Sequence, residues 1–144
     1  MPIASREDPF KSHSFLAEID GIASAFFKSV SGLDAEVEVI ELRSIEELVT
    51  RKLPGRVRFS NVRLERGLTT SRDLFDWWAA VLDGAVDRRG VAIMLLDDGR
   101  RPVLRWELQQ AWPVKWEIAE LDAAKNEVAI ESLTLCHEGF RLVD

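Results

Sequence analysis

The single cysteine of this sequence, Cys136, stands directly before His137, and this pairing of residue types is the one a thiol nucleophile and its base require. Adjacent residues on a β-strand point to opposite faces, so the two side chains have the wrong geometry for that chemistry. A metal centre needs three or four convergent ligands, and no spacing of Cys or His provides them. We therefore expect no catalytic residues, no metal site and no cofactor.

Carboxylates are numerous on the segments that alternate in hydropathy, as at Glu36, Glu38, Glu127 and Glu131. A pair of carboxylates is the machinery of a glycosidase. So many of them at alternating positions are more typical of a solvated strand face. The glycine-rich loop of a phosphate site is also missing from the sequence.

Tryptophan is the other residue type that suggests a site, because two indoles stand four apart in QAWPVKWE. On an extended segment Trp112 and Trp116 share one face. Pro113 cannot donate to a ladder, so the segment lies at a sheet edge or a bulge. The residues alone leave open a buried pair or an intersubunit anchor, since Trp is enriched at interface hot spots.

Length and charge limit the classes of function. The 144 residues fit one domain, 1–144, with a hydrophobic core. A formal charge of −6 argues against stable nucleic-acid binding, which needs clustered basic residues. A lone cysteine forms no intrachain disulfide, which is typical of a chain made in a reducing cytosol. No apolar run has the length of a signal peptide or a membrane anchor.

Alternating hydropathy places strands along most of the chain. Residues 14–30 predict a hairpin with a type I′ turn at Asp20-Gly21, after an arm at 1–13. Residues 35–42 predict a strand with Val37 and Val39 on a packed face. A charged segment, 43–55, predicts a projecting loop or hairpin, and the pattern slips at Ser60-Asn61, which indicates a bulge or bend.

One helix is predicted at 71–83, with Thr70 as its N-cap and Gly84 as its stop. Its apolar stripe contains Trp77 and Trp78, which helical spacing assigns to core packing. Further strands are predicted at 90–97, 102–112 and 126–140. The fold class is therefore mainly β, a β-sandwich or barrel of seven or eight strands with one packed α-helix.

Four stretches, in order, resemble one family: FLAEIDGIASAFFKSVSGLDAEVEVIELR, RKLPGRVRFSNVRLERGLT, the helix with DWW, and AWPVKWEIAELDAAKNEVAIESLTLCHEGF. They cover about residues 8–141. The family is the tail-tube proteins of contractile-tailed phages, with the inner-tube proteins of phage-tail-like contractile injection systems. Kinship in fold with the haemolysin-coregulated tube protein of type VI secretion is also implied.

The resemblance implies a structural role. Six copies form a ring, and rings stack into a hollow tube that sheath contraction drives through a target envelope. The implied partners are further copies, the sheath, baseplate and tube-terminator proteins, and cargo or DNA in the lumen. Assembly is expected in the bacterial cytoplasm, within a phage tail or an injection particle.

The resemblance also assigns roles to residues. Glu36, Glu38, Glu127 and Glu131 are expected to face the lumen and to make its wall negative. The loop 43–55 is expected to join stacked rings through Ile45, Leu48, Lys52, Leu53 and Pro54. Trp112 and Trp116 are expected to pack near the neighbouring subunit, with Lys115 on the opposite face.

Two other functions compete with the tube. One is a small β-sandwich module that binds carbohydrate or protein through Trp112 and Trp116. The other is a hydrolase built on Cys136, His137 and a carboxylate, which the strand geometry disfavours.

Overall fold

The structure is a computed structural model that describes residues 14–143 except 47. The predicted arm, 1–13, lies outside the described residues. Ten strands and one helix form in the described part: β1 Ser14–Ile19, β2 Ile22–Phe27, β3 Ser29–Ser31, β4 Ala35–Leu42, β5 Arg51–Phe59, β6 Val62–Gly67, α1 Asp73–Leu82, β7 Arg89–Leu96, β8 Pro102–Ile118, β9 Ile130–Cys136 and β10 Phe140–Val143.

The predicted first hairpin is confirmed. Strands β1 and β2 pair antiparallel, and Ala17 and Ile19 point into the core while Glu18 is exposed. The type I′ assignment is wrong, because of the two turn residues only Gly21 takes a positive φ, at 77°. A type I′ turn needs positive φ at both central positions.

Eight of the strands wrap into a barrel. They form the order β2-β1-β7-β8-β9-β6-β3 with β10 beside β8. Only Lys28 separates β2 from β3, so the two ends of this order lie on one continuous segment. The backbone N–H of Lys28 donates to the Glu65 carbonyl at 2.9 Å, which joins that segment to β6. The remaining two strands, β4 and β5, form a separate two-stranded sheet.

Strand β8 connects the two sides of the barrel. Its first half, up to Ala111, pairs with β7, and its second half, from Trp112, pairs with β9. Gln110 takes a φ of 53° at the change of partner. Such a corner lets one long strand serve both sides.

The predicted helix is confirmed, although it begins at Asp73 and has no side-chain cap. The prediction of Thr70 as N-cap is wrong, because Arg72 occupies that position. Gly84 has a φ of 87° just beyond the last turn, as a helix stop requires. Trp77 is 3% exposed and donates its indole N–H to the Asp87 carbonyl at 2.8 Å. The indole thus contributes apolar area while its polar atom keeps a partner.

The core fills the barrel between its two sides. Buried side chains come from every barrel wall, and the fully enclosed ones include Val62, Leu64, Ile93, Leu133 and Leu135, each at 0% exposure. Trp106, Trp116 and Phe140 pack against this cluster from its margin. Thus the apolar side chains of the alternating strands outside β4 and β5 pack almost entirely within the single subunit.

The β4–β5 hairpin, residues 35–59, continues the β3–β6 ladder after a break. Ser31 pairs with Arg63, and the next pair along the hairpin is Ala35 with Phe59. At the break Gly32 has a φ of 90°, and a Cβ there would lie 2.0 Å from the Asn61 carbonyl oxygen. Only glycine permits this approach, so the predicted bend at Ser60-Asn61 is confirmed together with its partner on the other strand.

Candidate assembly surfaces

The hairpin leaves its apolar side chains uncovered. Every residue of β4 is exposed, and Val37 and Val39 are 48% and 59% exposed. The prediction that they form a packed face is therefore wrong for the single chain. A two-stranded ribbon has no third strand or helix to bury either of its faces.

Contacts at the root fix which way each face of the hairpin points. The ring of Phe59 stands edge-on to Phe140 at 5.4 Å, on the core side of the sheet. Val37 and Val57 share this side, because they lie two residues from the pair Ala35–Phe59. Glu36 and its cross-strand partner Arg58 therefore face the opposite, outer side.

The hairpin tip carries the most exposed apolar residues. Ile45 and Leu48 are fully exposed and Leu53 is 44% exposed. Residues 51–55, predicted as part of a loop, begin strand β5 instead, and Pro54 faces Val39 across the ladder. The projecting segment is thus a hairpin in which β4 ends at Leu42 and β5 begins at Arg51, and Lys52, Leu53 and Pro54 lie on β5.

The two indoles of QAWPVKWE do not share a face. Trp112 pairs with Cys136, whereas Trp116 pairs with the buried Leu133. The ladder shifts between Pro113 and Lys115, and this extra residue reverses the alternation. Pro113 therefore lies at a bulge in the half of β8 that pairs with β9 alone, so the bulge and the edge that the sequence left open are both present.

Trp116 belongs to the core side and Trp112 to the outer side of β8. Trp116 meets the ring of Phe75 edge-on at 4.9 Å and packs against the core. Lys115, predicted to oppose both indoles, opposes only Trp116, and its Nζ lies 3.5 Å from an oxygen of Glu117. Because the indoles face opposite ways, they cannot form a two-ring platform for a sugar.

Glu131 is not on a wet face. Its carboxylate is 2% exposed, lies 2.8 Å from the Arg66 guanidinium and accepts the Trp116 indole N–H at 2.8 Å. The prediction that it faces a lumen is wrong, because a carboxylate held inside the subunit cannot line a channel. Glu127 is exposed, but it precedes β9 and lies in the 119–129 loop instead of on the strand.

The outer side of β3, β6, β9 and the second half of β8 carries a network of polar side chains, here called the polar face. The Arg63 guanidinium lies 2.9 Å from Glu65 and 2.7 Å from Glu117, and it donates to the Ser132 hydroxyl at 3.2 Å. Ser29 donates to the second oxygen of Glu65 at 3.1 Å.

This network alters the acid–base properties of its members. The hydrogen bond from Arg63 lowers the pKa of Glu65 below its usual value. The same bond raises the pKa of the Arg63 guanidinium. Both shifts favour the charged forms, so the polar face keeps its ion pairs at neutral pH.

In the described part of the chain, the sheet that carries the polar face has an open backbone edge at each end. From Trp112 to Ile118, β8 pairs with β9 alone, and at the other end β3 and β4 pair only with β6 and β5. Across the polar face the strand order is therefore β8, β9, β6, β3, with an open edge at each end. Open edges are sites for pairing with another chain.

The hydrolase alternative finds no catalytic geometry. The His137 ring lies 2.9 Å from the Ser60 carbonyl through Nε2 and accepts the Gly139 N–H through Nδ1. Both ring nitrogens are thus used by the backbone at the hairpin root. In the described ranges no group of His, Cys, Asp and Glu has the arrangement of a metal site, and no helix is long and apolar enough to cross a membrane.

A family model described as T4-like virus tail tube protein gp19 matches residues 11–141. The chain belongs to this family. The family is named for a structural protein, the subunit of a tail tube. No curated protein matches the chain.

Solved structures support the same assignment. A chain of the six-fold symmetrised anti-feeding prophage baseplate is 30% identical, with a TM-score of 0.82 over 96% of this chain and 97% of that one. A chain of the PVC sheath–tube complex in its extended state is 27% identical, with a TM-score of 0.85 over 95% and 93%. Hcp1 from Flavobacterium johnsoniae, at 14% identity and a TM-score of 0.57 over 90% and 94%, shares the fold.

Sequence reasoning missed the polar face and the buried ion pair. The signal for the polar face is the period-two spacing Arg63-x-Glu65 on one strand and Lys115-x-Glu117 on another. The Arg66–Glu131 pair leaves no such signal, because only the register of β6 against β9 brings the two side chains together.

Proposed function

We propose that this protein is the repeating subunit of the inner tube of a contractile phage tail or injection particle, and that six copies form each ring. The observation that carries the proposal is the pair of open edges on one polar sheet. A subunit with an open edge at each end pairs head to tail, and a head-to-tail interface of suitable rotation closes into a ring. Closing the ring pairs both open edges of this sheet.

In this ring the β3–β4 edge of one copy lies against the β8 edge of the next. The bulge at Pro113 sets this contact, because it turns Trp112 and Lys115 to the outer side of the strand that meets the neighbour. Trp112 then acts as the anchor near the neighbouring subunit, while Trp116 supports the strand from the core.

The polar face lines the lumen. It is the hydrophilic side of the strands that carry the open edges, and a closed ring of such strands must turn one side inward. Glu36 and Glu38 extend this surface along the hairpin, since they lie on the side opposite Phe59. Glu127, on an exposed loop, lies at one end of the same sheet.

Stacking uses the hairpin. It reaches beyond the barrel, and its tip exposes Ile45 and Leu48 completely. Exposed apolar side chains clustered on a projecting element mark an interaction site. We assign their partner to the adjacent ring, with Lys52, Leu53 and Pro54 of β5 contributing to the same contact.

The remaining partners follow from the relatives. The similar chains come from a baseplate, a sheath–tube complex and a tube-terminating cap. By analogy the tube polymerises from a baseplate, is surrounded by a sheath and is closed by a terminator, with assembly in the bacterial cytoplasm. The role is mechanical and not enzymatic.

Electron microscopy of the purified chain tests the proposal. We expect hollow rings or tubes of uniform width in negative stain, and a size-exclusion profile that shifts to large species as protein concentration rises. A chain that remains a compact monomer at every concentration, in the presence of baseplate nuclei, contradicts the proposal.

A further inference from the structure

Charges on the polar face alternate in sign along its strands and are paired. Arg63 on β6 lies between Glu65 on its own strand and Glu117 on β8, at 2.9 and 2.7 Å. Lys115 lies 3.5 Å from the other oxygen of Glu117. Each carboxylate in this network therefore has a cationic neighbour within the same subunit.

In the hairpin, by contrast, the opposite charges lie on two separate neighbouring strands. Strand β4 contains three carboxylates and no basic residue, while β5 contains four basic residues and no carboxylate. Because the strands are antiparallel neighbours, Glu36 lies directly opposite Arg58 on the same side. Strand β4 thus supplies negative charge at the point where β5 supplies positive charge.

Opposite charges on this side of the sheet nearly balance. The members that register, alternation or hydrogen bonding assigns to it are Glu36, Glu38, Glu65 and Glu117, and against them Arg51, Arg56, Arg58, Arg63 and Lys115. The chain as a whole has a formal charge of −6. The excess negative charge is therefore carried by other surfaces of the subunit.

We propose that the lumen wall is electrostatically balanced and admits molecules of either charge sign. The proposal rests on the placement of the polar face in the lumen and replaces the negative wall that the sequence predicts. Paired charges 3 to 4 Å apart cancel one another within a few ångströms of the wall. A passenger of mixed charge is then neither held nor repelled.

Cys136 offers a probe of this wall, because it is the single cysteine and its side chain lies on the same side as Lys115 and Thr134. Assembled tubes are treated with a cationic and an anionic methanethiosulfonate reagent, and the two rates are divided by the rates for a free small thiol. We expect the normalised ratio to stay within about twofold of unity. A net wall potential of one kT changes it by about sevenfold, and protein surfaces reach several kT.

Matched charge variants sharpen the measurement. Arg63→Gln removes a positive charge and is expected to favour the cationic reagent severalfold. Glu65→Gln removes a negative charge and is expected to favour the anionic reagent by a similar factor. Glu107→Gln, on the first half of β8, is the control and should leave the ratio unchanged. If Arg63→Gln fails to assemble, Lys115→Gln replaces it, since that ammonium is 60% exposed.

The accessibility of Cys136 to a large reagent distinguishes a failure of this inference from a failure of the proposed function. In tubes a large maleimide-polyethylene glycol should be excluded from Cys136, whereas in disassembled subunits it should react. Ser24→Cys in a Cys136→Ser background, on β2 of the other barrel side, should react in both states. Free reaction of Cys136 in intact tubes rejects the lumen placement, and no tubes at all rejects the proposed function.

The charge balance has its own contradicting results. With Cys136 protected and tubes intact, a normalised preference of about tenfold or more for either reagent overturns it. So does a pair of charge variants that shift the ratio in the same direction, because that outcome reports altered access to the thiol and not altered charge.

Discussion

The barrel and the hairpin use the same alternating pattern with opposite results. In β9 the alternation puts Leu133 and Leu135 at 0% exposure, whereas in β4 it leaves Val37 and Val39 about half exposed. The barrel strands have neighbours on both edges or a layer behind them, and the hairpin has neither. Apolar residues in the barrel thus stabilise the subunit, and those in the hairpin are available to stabilise a tube.

The largest effect is expected from the hairpin tip. The double substitution Ile45→Asp, Leu48→Asp removes the exposed apolar contact and adds repelling charge, and truncating a single hot spot already costs about 2 kcal/mol or more of binding. Repeated around each ring, this loss should abolish sedimentable tubes. Circular dichroism should show an unchanged fold.

The matched control for the tip is Leu82→Asp, an exposed leucine on α1. It should polymerise like the unsubstituted chain. If the tip variant also polymerises normally, the hairpin has no role in stacking, and its exposed apolar residues do not stabilise a tube.

A smaller but clear loss of subunit stability is expected from Glu131→Ala. The substitution leaves Arg66 buried without its carboxylate and takes the acceptor from the Trp116 indole. Breaking a buried pair costs about 3–5 kcal/mol. Urea unfolding of the unassembled chain measures it, with the exposed Glu127→Ala expected within about 0.5 kcal/mol of the original. Equal values for both variants would mean that the pair is not buried.

Truncating one apolar side chain in the barrel core and one in the hairpin compares the two regions most directly. Leu133→Ala removes a fully enclosed side chain and should cost about 2–5 kcal/mol. Val39→Ala, on the hairpin, should change the free energy of unfolding by no more than about 0.5 kcal/mol. In assembled tubes the difference in stability loss between the two variants should become smaller, because on the proposed stacking role a neighbouring subunit then covers Val39. A large loss for Val39→Ala in the unassembled chain contradicts this division.

The smallest effect is expected in how the free energy of unfolding changes at acid pH. The pKa of Glu65 is lower in the folded than in the unfolded chain, so its contribution is complete above the unfolded-state pKa of about 4.3 and is lost as the pH falls through the folded value. Glu65→Gln should therefore flatten the decline in stability as the pH falls below about 4.3, by up to about 1 kcal/mol for this partly exposed pair. Urea titrations at fixed pH measure it, and an unchanged slope contradicts the assignment.

Much of the fold was predictable because short-range patterns are strong here. The Asp20-Gly21 hairpin, the 71–83 helix and the bend at Ser60-Asn61 each follow from turn residues or periodicity, and the structure contains all three. The errors arise where one extra residue matters. Pro113 indicates a bulge or an edge, but only the register against β9 shows that the shift turns Trp112 and Trp116 to opposite faces.

The burial of the residues assigned to the lumen and to stacking was predictable only in part, for a related reason. Glu36 and Glu131 look alike in sequence, since each stands in an alternating strand. Their environments differ because β9 lies between β6 and β8, with Trp116 and Arg66 closing over Glu131, while β4 has only β5 beside it. Burial depends on what lies next to a strand, which is a long-range property.

The sequence by itself determined that this chain is β-rich with one helix, that its residues form no recognisable catalytic motif, and that it resembles the tail-tube family. Those properties rest on composition, periodicity and motifs, which are local. The tertiary structure alone decided which carboxylates pair, which indole enters the core and which strands keep open edges. These depend on strand register and on neighbours far apart in the chain, and they determine where another copy can bind.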